Sequence, residues 1–345
     1  MKVAMMRTYK SPGRLGRITS LVCNHYGLDF FFFNPEDVNF KTKTINGLFY
    51  INGRWRRQET GFPLAVDNEV THDQAFMQAL DKECYLTCHL IGSKQEVFER
   101  LRKAGGFEDV LIPYMTVKSA KSIYDFMEEH GHTLLKPIVS NQGRNIYTVE
   151  FVKGGIQVHT DTTSEVLTKT AFNDFYKKIL KPRVYLAQPF IDSKNSQGNP
   201  IDVRMHVRKN INGDWRNAAI YPRIGIGKDI TSNISQGGGV SPLNSFLAAK
   251  YGEDKWEEVR NRLFEVSSWF PKKFEELYDY DFDAFGIDFG LDENGKLWLF
   301  EVNTSPGVKY FVAEDAELRA QYLKHCAEKY GVNKEPYVKA EFKLH

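Results

Sequence analysis

The chain is poor in cysteine, has no long apolar run and carries almost no net charge, and each shortage excludes a class of protein. Its four cysteines have neither zinc-site nor redox-pair spacing, so we expect reduced thiols in a cytoplasmic protein. They are Cys23, Cys84, Cys88 and Cys326. No apolar run reaches the roughly 18 residues of a membrane span, and the opening MKVAMMRTYK meets charge before any signal-peptide core. A net charge of +2 is too small to indicate a nucleic-acid partner.

Several familiar catalytic motifs are missing as well. The chain has no G-x-x-x-x-G-K-[ST] motif, which excludes nucleotide binding of the P-loop type. It also lacks H-E-x-x-H and a Ser-His-Asp order. The histidines His25, His159 and His206 are scattered, so we expect them in the core or on the surface rather than in catalysis.

The length and composition are those of a fully folded protein. The 345 residues allow two or three structural units, and 42% hydrophobic with 14% aromatic residues indicate a large buried core. Short β-type runs dominate residues 1–70, where Asn52-Gly53 predicts a hairpin. The elements expected next are helical patterns at 74–102 and near 119–130, strands between 133 and 191 with a helix near 171–180 among them, two strands at 201–226, a helix near 255–277, a hairpin at 285–307 and a final helix. This alternation indicates a mixed α+β or α/β fold.

The hairpin FGIDFGLDENGKLWLFEVNTSPG, residues 285–307, brings polar side chains together. Asn294-Gly295 predicts a two-residue type I′ loop, because both central residues of that turn need positive φ. The resulting register pairs Glu293 with Lys296, Leu291 with Trp298, Phe289 with Phe300 and Asp288 with Glu301. Side-chain alternation then predicts an apolar face made of Ile287, Phe289, Leu291, Trp298, Phe300 and Val302. Asp288, Glu301 and Asn303 share the other face.

This polar face predicts a metal site. Two carboxylates directly opposite each other on neighbouring strands repel, and a divalent cation between them relieves the repulsion. A set of two carboxylates and one amide suits Mg²⁺, which prefers oxygen ligands in octahedral geometry. The alternative is a solvated outer face on which charges happen to meet. Asn303, disfavoured inside strands, and the turn TSPG directly after it argue against that alternative.

At this point the sequence resembles the ATP-grasp superfamily, whose ligases carry an Asp followed by a Glu-x-Asn pair that holds two Mg²⁺ ions against ATP. EVNTSPG is similar to the EVNASPG signature of RimK-type amino-acid ligases. The other matching segments are Asp202-Val203-Arg204, Pro222-Arg223, Thr231-Ser232-Asn233 with Gly237-Gly238, LLKP at 134–137, and Gln188-Pro189-Phe190-Ile191. More narrowly, the chain resembles YheC/YheD-type proteins, which are known as endospore coat-associated, over nearly its whole length.

The resemblance implies a role for each matching residue. The metal ligands would be Asp288, Glu301 and Asn303, holding two Mg²⁺ ions, with Mn²⁺ as a substitute. Catalytic roles would fall to Arg204, Arg223 and Asn233. ATP would be bound by Lys94, Lys136 and the hinge Gln188, Pro189, Phe190 and Ile191. Lys82 competes with Lys94 for its role, an exposed strand-end lysine is the alternative for Lys136, and an ion pair with Asp202 is the alternative for Arg204.

The resemblance also implies an architecture and a reaction. We expect an N-terminal domain at 1–75, a helical segment at 76–133, a small ATP-grasp subdomain at 134–191 and a large one at 192–345. The phosphate-covering flap is usually rich in glycine, but here it reads Ser140-Asn141-Gln142-Gly143-Arg144-Asn145, which leaves its contacts open. The implied activity is an ATP- and Mg²⁺-dependent carboxylate-amine ligase that acts on small-molecule or peptide substrates through an acyl phosphate.

Two other functions stay open at this stage. One is a kinase with the same site that phosphorylates a hydroxyl group. The other is a non-catalytic ATP-binding protein associated with the spore coat, although the intact metal ligands argue against a decayed site. The sequence names neither substrate nor oligomeric state, and Arg7, Tyr9 and Arg14 are candidates for substrate contacts.

Overall fold

The computed structural model describes residues 1–71, 73–138, 145–160, 162–225 and 238–330. Its strands form sheets of seven, six and five strands, with helices packed against them, so the expected mixed α and β character is confirmed. Within these ranges no helix is both long and apolar enough to cross a membrane. All four cysteines are buried and free of disulfides.

The first sheet belongs to the N-terminal unit. Its elements are β1 (Lys2–Met6), α1 (Gly13–His25), β2 (Asp29–Phe33), β3 (Val38–Asn39), β4 (Thr44–Ile51), β5 (Arg54–Gly61), β6 (Ala65–Asn68), α2 (Gln74–Glu83) and β7 (Tyr85–Leu86). Strand β1 pairs in parallel with β2 and β6, and α1 and α2 pack on opposite faces. Between β4 and β5, Asn52 and Gly53 have φ of 50° and 79°, which confirms the predicted two-residue hairpin.

The second sheet has helices on one face and polar side chains on the other. Its region contains α3 (Lys94–Ala104), β8 (Met115–Thr116), α4 (Ala120–His130), β9 (Thr133–Pro137), β10 (Tyr147–Val152), β11 (Gly155–His159), β12 (Ser164–Leu167), α5 (Lys169–Phe175), a π-helical turn at Tyr176–Leu180 and β13 (Tyr185–Pro189). Leu135 of β9 packs into the core beneath α4 and α5. Because side chains alternate along a strand, Leu134 and Lys136 lie on the opposite face.

The third sheet has helices on both faces. Its region contains β14 (Ile201–Lys209), β15 (Trp215–Ile224), β16 (Gly239–Val240), α6 (Leu243–Tyr251), α7 (Trp256–Glu275), β17 (Ala284–Leu291), β18 (Leu297–Asn303) and α8 (Val312–Lys329). Val203, Met205 and Val207 of β14 pack into the core with α7. The even-numbered residues of β14 therefore line the other face, against which α8 packs. Helix α8 also joins the core of the first sheet.

One of the expected helical segments needs correction. The helical pattern across 74–102 is interrupted, because Tyr85 and Leu86 pair with Ala65 and Val66 as strand β7 of the first sheet. Tertiary pairing overrides the local pattern there. Helices α1 and α6 and strand β12 had no prediction of their own.

The connection between β17 and β18 also differs from the prediction. It spans the five residues from Asp292 to Lys296 instead of two. The Gly295 amide donates to the Asp292 carbonyl over 3.1 Å. Among the five described residues of this connection only Gly295 has positive φ, at 72°. The predicted type I′ turn at Asn294-Gly295 is therefore wrong.

The longer connection changes the register near the turn but leaves it unchanged further along. Leu291 pairs with Leu297 and Phe289 with Leu299, so the predicted partners Trp298 and Phe300 are wrong. A bulge at Phe300 then restores the predicted pair of Asp288 with Glu301. Leu297 and Leu299 fill the core positions that had been predicted for Trp298 and Phe300.

Candidate functional site

The polar faces of the second and third sheets approach each other, and we call the space between them the cleft. Strand β17 lies between β14 and β18, so Asp288 has a direct cross-strand partner on each side. These partners are Arg204 on β14 and Glu301 on β18. The Nζ atom of Lys94, at the start of α3, lies 3.3 Å from Glu301 Oε1. The structure thus brings predicted catalytic, nucleotide-binding and metal-binding residues to one place.

Two arginines and two aspartates form a buried ion cluster beside Glu301. Arg204 donates hydrogen bonds to Asp288 from both Nε and Nη2, and Nη2 lies 2.9 Å from Oδ2. Arg223 Nη2 lies 2.8 Å from the same Asp288 oxygen, and Arg223 also donates two 2.6 Å bonds to Asp202. Burial alone would raise the pKa of Asp288, but the two arginines outweigh it and hold that pKa below its usual value. The cluster balances its own charge.

A glycine makes room for this cluster. A Cβ atom on Gly286 would lie 2.8 Å from Arg204 Nη1 and 2.6 Å from the Cβ of Pro306. A larger residue at position 286 would therefore clash with the Arg204 guanidinium and with Pro306. The proline belongs to the TSPG turn that the sequence placed after Asn303.

The two lysines of the site have different environments. Lys136 on β9 is 8% exposed, and its Nζ lies 4.8 Å from the centre of the Phe98 ring. The alternative of an exposed strand-end lysine is therefore wrong. Burial lowers the pKa of Lys136 to about 7, with Lys94 acting in the same direction and Glu301 opposing. No anion among the described residues forms an ion pair with Lys136.

The predicted metal ligands have the right donor chemistry for Mg²⁺. Glu301 keeps 34% of its side chain exposed, and Asn303 is half-buried opposite Gly286. Asp288 is 4% exposed with both oxygens bonded to guanidinium groups, yet carboxylate oxygens have further lone pairs to offer. Across the described ranges no group of three or more His, Cys, Asp or Glu could hold a metal. A metal here would therefore depend on Asn303 and on oxygens from a bound nucleotide.

The predicted hinge lies at the end of β13. Gln188 pairs with Leu134 and shares the cleft face with Lys136. It is 1% exposed, and in the described part of the chain its Nε2 has no hydrogen-bond partner. The Phe190 amide donates to the His132 carbonyl over 2.8 Å, which ties the hinge to β9. A buried amide donor without a partner indicates a place for a ligand acceptor.

A polar pocket extends the cleft beside the hinge. It has a volume of about 210 Å³. Its lining residues are His132, Thr148, Glu150, Gln157, His159, Phe190 and Lys194. His159, one of the three histidines predicted to lie in the core or on the surface, is half-buried and lines this pocket. Alternation from Val149 and Val158, which are in the core, places Thr148 and His159 on this face.

The sequence reasoning missed one cleft residue, Phe300. The bulge turns it away from the core and over Gly290, where an added Cβ would lie 2.1 Å from the Phe300 ring. The ring thus provides a flat apolar surface beside the predicted metal ligands. The sequence signal that could have located it is Gly290, since a glycine within a strand marks close approach of another group.

Two of the predicted site elements lie wholly or largely outside the residues that the structure describes. Asn233 lies outside the described residues, as does most of the flap predicted at 140–145. Of that flap, Asn145 is described, and its carbonyl accepts a hydrogen bond from the Tyr185 hydroxyl over 3.2 Å.

Comparison with known proteins shows which proteins this chain is similar to. A family model described as YheC/D-like ATP-grasp matches residues 84–330, more than half of the chain. The endospore coat-associated protein YheD of Bacillus subtilis (strain 168) is 26% identical over 299 residues, which cover 81% of this chain and 65% of that protein. YheC of the same organism is 24% identical over 332 residues, covering 87% of this chain and 88% of that protein. The chain thus spans just under two thirds of the YheD length.

A solved structure matches the fold as well. The ATP-grasp ligase PsnB, complexed with a minimal precursor, Mg and ADP, superposes with a TM-score of 0.53 over 95% of this chain and 98% of that chain. The sequences are 11% identical, so the similarity shows the fold alone. The ATP-grasp fold expected from the sequence motifs is confirmed.

Proposed function

Because the chain belongs to the YheC/D-like ATP-grasp family, we propose that it is an ATP- and Mg²⁺-dependent carboxylate-amine ligase that works through an acyl phosphate. The observation that carries this proposal is the joint placement of Glu301, Asp288 and Asn303 on one cleft face, with Lys94 and Lys136 beside them. This arrangement matches the needs of phosphoryl transfer, which asks the protein for positioning and charge rather than for a nucleophile.

The cations of the cleft would hold the nucleotide. Lys136 is buried without an ionic partner among the described residues, so a phosphate oxygen would supply its missing anion. Lys94 lies beside Glu301 and would bind the same phosphate chain. Gln188 Nε2 would donate to an acceptor on the base, and Phe300 would provide the surface on which the base packs.

Asp288, Glu301 and Asn303 would hold Mg²⁺, or Mn²⁺ in its place, which supplies positive charge to neutralise the phosphate oxygens during transfer. With such a metal bound, Asp288 would share its oxygens between the metal and the guanidinium groups of Arg204 and Arg223. The guanidinium groups would then have donors to offer to the transferred phosphoryl group. Asn233 remains a predicted member of this set.

The proposed reaction has two steps. An oxygen of the substrate carboxylate forms a bond to the γ-phosphorus, and the bond to the bridging oxygen breaks, which releases ADP. The amine then attacks the carbonyl carbon of the acyl phosphate, phosphate leaves, and the amine nitrogen gives up a proton. Arg204 and Arg223 would stabilise the charge on the phosphoryl group in both steps.

The substrate class is proposed by analogy with a protein of the same fold. We propose small-molecule or peptide carboxylates and amines, since PsnB is an ATP-grasp ligase that was solved with a precursor. We also extend to this chain the spore-coat association in the names of YheC and YheD.

Release of phosphate and ADP tests the function. The purified protein is incubated with MgATP and pools of amino acids and short peptides, and Glu301→Gln serves as the control. We expect substrate-stimulated release of both products, which Glu301→Gln abolishes. Release of ADP without phosphate would instead establish a kinase. Binding of ATP with no turnover in any pool would support a non-catalytic protein.

A further inference from the structure

One aromatic residue extends the row of charged side chains across the third sheet. Tyr221 on β15 is the direct cross-strand partner of Arg204, just as Asp288 is on the other side. Tyr221, Arg204, Asp288 and Glu301 therefore form a single row across four neighbouring strands. At about 4.8 Å between strands, roughly 14 Å separates the two ends of the row.

The ring of Tyr221 is held in place by an aromatic neighbour. Its ring centre lies 5.4 Å from that of Phe311, which in turn packs against the buried His206. Within the described ranges no residue is hydrogen-bonded to the Tyr221 hydroxyl, although the residue is half-buried beside Arg204 and Arg223. Burial raises the pKa of Tyr221, so the phenol stays a neutral donor.

The two ends of this row would face different reactants. Its Glu301 end lies against Lys94 and Lys136, where the proposed function places the nucleotide phosphates. In phosphoryl transfer the attacking and leaving oxygens are roughly in line, so the acceptor approaches from the side opposite to ADP. In this row that is the side of β15, beyond Arg204. A neutral O–H donor there can bind a carboxyl oxygen without adding charge.

We propose that Tyr221 is a substrate-positioning residue whose hydroxyl donates a hydrogen bond to the carboxyl group of the acceptor, and hence to the carbonyl oxygen of the acyl phosphate. This proposal rests on the proposed ligase function. It places the acceptor carboxyl group over β14 and β15, between Arg204 and the Tyr221–Phe311 ring pair.

The reverse half-reaction tests this placement with a defined probe. Acetyl phosphate and MgADP are supplied, and ATP is measured. A β-phosphate oxygen of ADP forms a bond to phosphorus, the bond from phosphorus to the acetyl oxygen breaks, and acetate leaves with the electron pair. We expect Tyr221→Phe to lower kcat/KM for acetyl phosphate about tenfold, because the lost hydrogen bond is to a carbonyl oxygen that gains carboxylate charge as acetate leaves. The KM for ADP should stay within about twofold, because Tyr221 lies at the far end from the nucleotide.

Three controls accompany this measurement. Glu301→Gln should abolish ATP formation, which excludes a contaminating kinase. Tyr124→Phe removes a hydroxyl that donates to Asn173 Oδ1 over 3.0 Å, away from the cleft, and should leave both constants unchanged. Thermal melting of Tyr221→Phe should match that of the wild type, since the ring that packs on Phe311 is retained.

The possible outcomes separate the two proposals. If Tyr221→Phe raises the KM values for ADP and for acetyl phosphate equally, the role of Tyr221 is merely structural. Wild-type constants in Tyr221→Phe would refute its role in positioning the substrate but leave the ligase function intact. If the wild type binds MgADP but forms no ATP from acetyl phosphate, the acyl-phosphate chemistry fails and the role of Tyr221 fails with it.

Discussion

Lys136 is the residue whose charge is most sensitive to a bound nucleotide. Its pKa of about 7 in the free protein leaves it mostly neutral at pH 8. A phosphate oxygen beside it would favour the charged form and raise that pKa, so nucleotide binding at pH 8 should take up close to one proton. Below about pH 6 the lysine is already charged, and the uptake should vanish.

Calorimetry in buffers with different ionisation enthalpies measures this proton uptake. The apparent enthalpy of MgADP binding at pH 8 should depend on the buffer for the wild type. Lys136→Arg keeps a permanent charge, so it should bind MgADP with no dependence on the buffer. A wild-type enthalpy that is identical in all buffers at pH 8 would show that no phosphate reaches Lys136.

For single residues, the sequence predicted which side chains of the site carry charge but not which of them form ion pairs with each other. The ion pair weighed for Arg204 was Asp202, its neighbour two positions along β14. The structure instead pairs Arg204 with Asp288 and Asp202 with Arg223. Directly opposite residues on neighbouring strands lie about 5 Å apart, which is closer than two residues at positions i and i+2 of one strand. The ion pairs therefore form across strands rather than along β14. That choice requires the strand order, which no single segment of sequence contains.

Among the elements, the β17–β18 hairpin offers a test that separates the observed turn from the predicted one. A type I′ turn needs positive φ at both Asn294 and Gly295, whereas the structure has it at Gly295 alone. A Cβ atom on Gly295 would also lie 2.4 Å from Cγ2 of Val259 on α7. Gly295→Ala should therefore lower the free energy of unfolding by about 1–2 kcal/mol or more, measured by urea denaturation.

Asn294→Ala is the matched control for this prediction. The Asn294 amide donates to Asp292 Oδ1, and alanine keeps that bond, so the change should stay within about 0.5 kcal/mol. A loss comparable to that of Gly295→Ala would instead favour the type I′ turn.

The same hairpin shows why the predicted pair of Asp288 with Glu301 is correct although the pairs nearer the turn are wrong. The connection is longer than predicted, which shifts the pairing by one residue from Leu291 to Phe289. The bulge at Phe300 shifts it back, so Asp288 still faces Glu301. Turn residues and alternation predict strands and their faces, but a bulge depends on what packs against the strand. Here Gly290 opens a space on the cleft face that Phe300 fills.

On the scale of the whole molecule, buried ion pairs join the N-terminal unit to the site. Asp67 at the end of β6 pairs with Arg319 of α8, and Arg319 also lies 2.9 Å from Asp315. Asp315 accepts from Arg208 of β14 over 3.0 Å and contacts His206 Nε2 over 3.0 Å. The sequence assigned no function to these residues, because they are separated by up to 252 positions along the chain. Only the packing of α8 between two sheets brings them together.

This network makes stability depend on pH through His206. The side chain is fully buried, and burial lowers its pKa from 6.5 to about 4, with Arg208 and Arg204 acting in the same direction and Asp315 opposing. Below about pH 6.5 the unfolded chain binds a proton at His206 that the folded protein does not. Stability from this residue is therefore fully present above about pH 6.5 and is lost as the pH falls towards 4.

The expected loss between pH 7 and pH 5 is about 2 kcal/mol, from 1.36 kcal/mol per unit of pKa difference. Urea denaturation at both pH values measures it in the wild type and in His206→Gln, whose amide can still donate to Asp315. Other groups titrate in both proteins, so the variant should lose about 2 kcal/mol less than the wild type over this interval. His25→Gln, on the surface, should behave like the wild type. Equal losses in all three proteins would mean that His206 is protonated in the folded state and that Asp315, rather than burial, sets its charge.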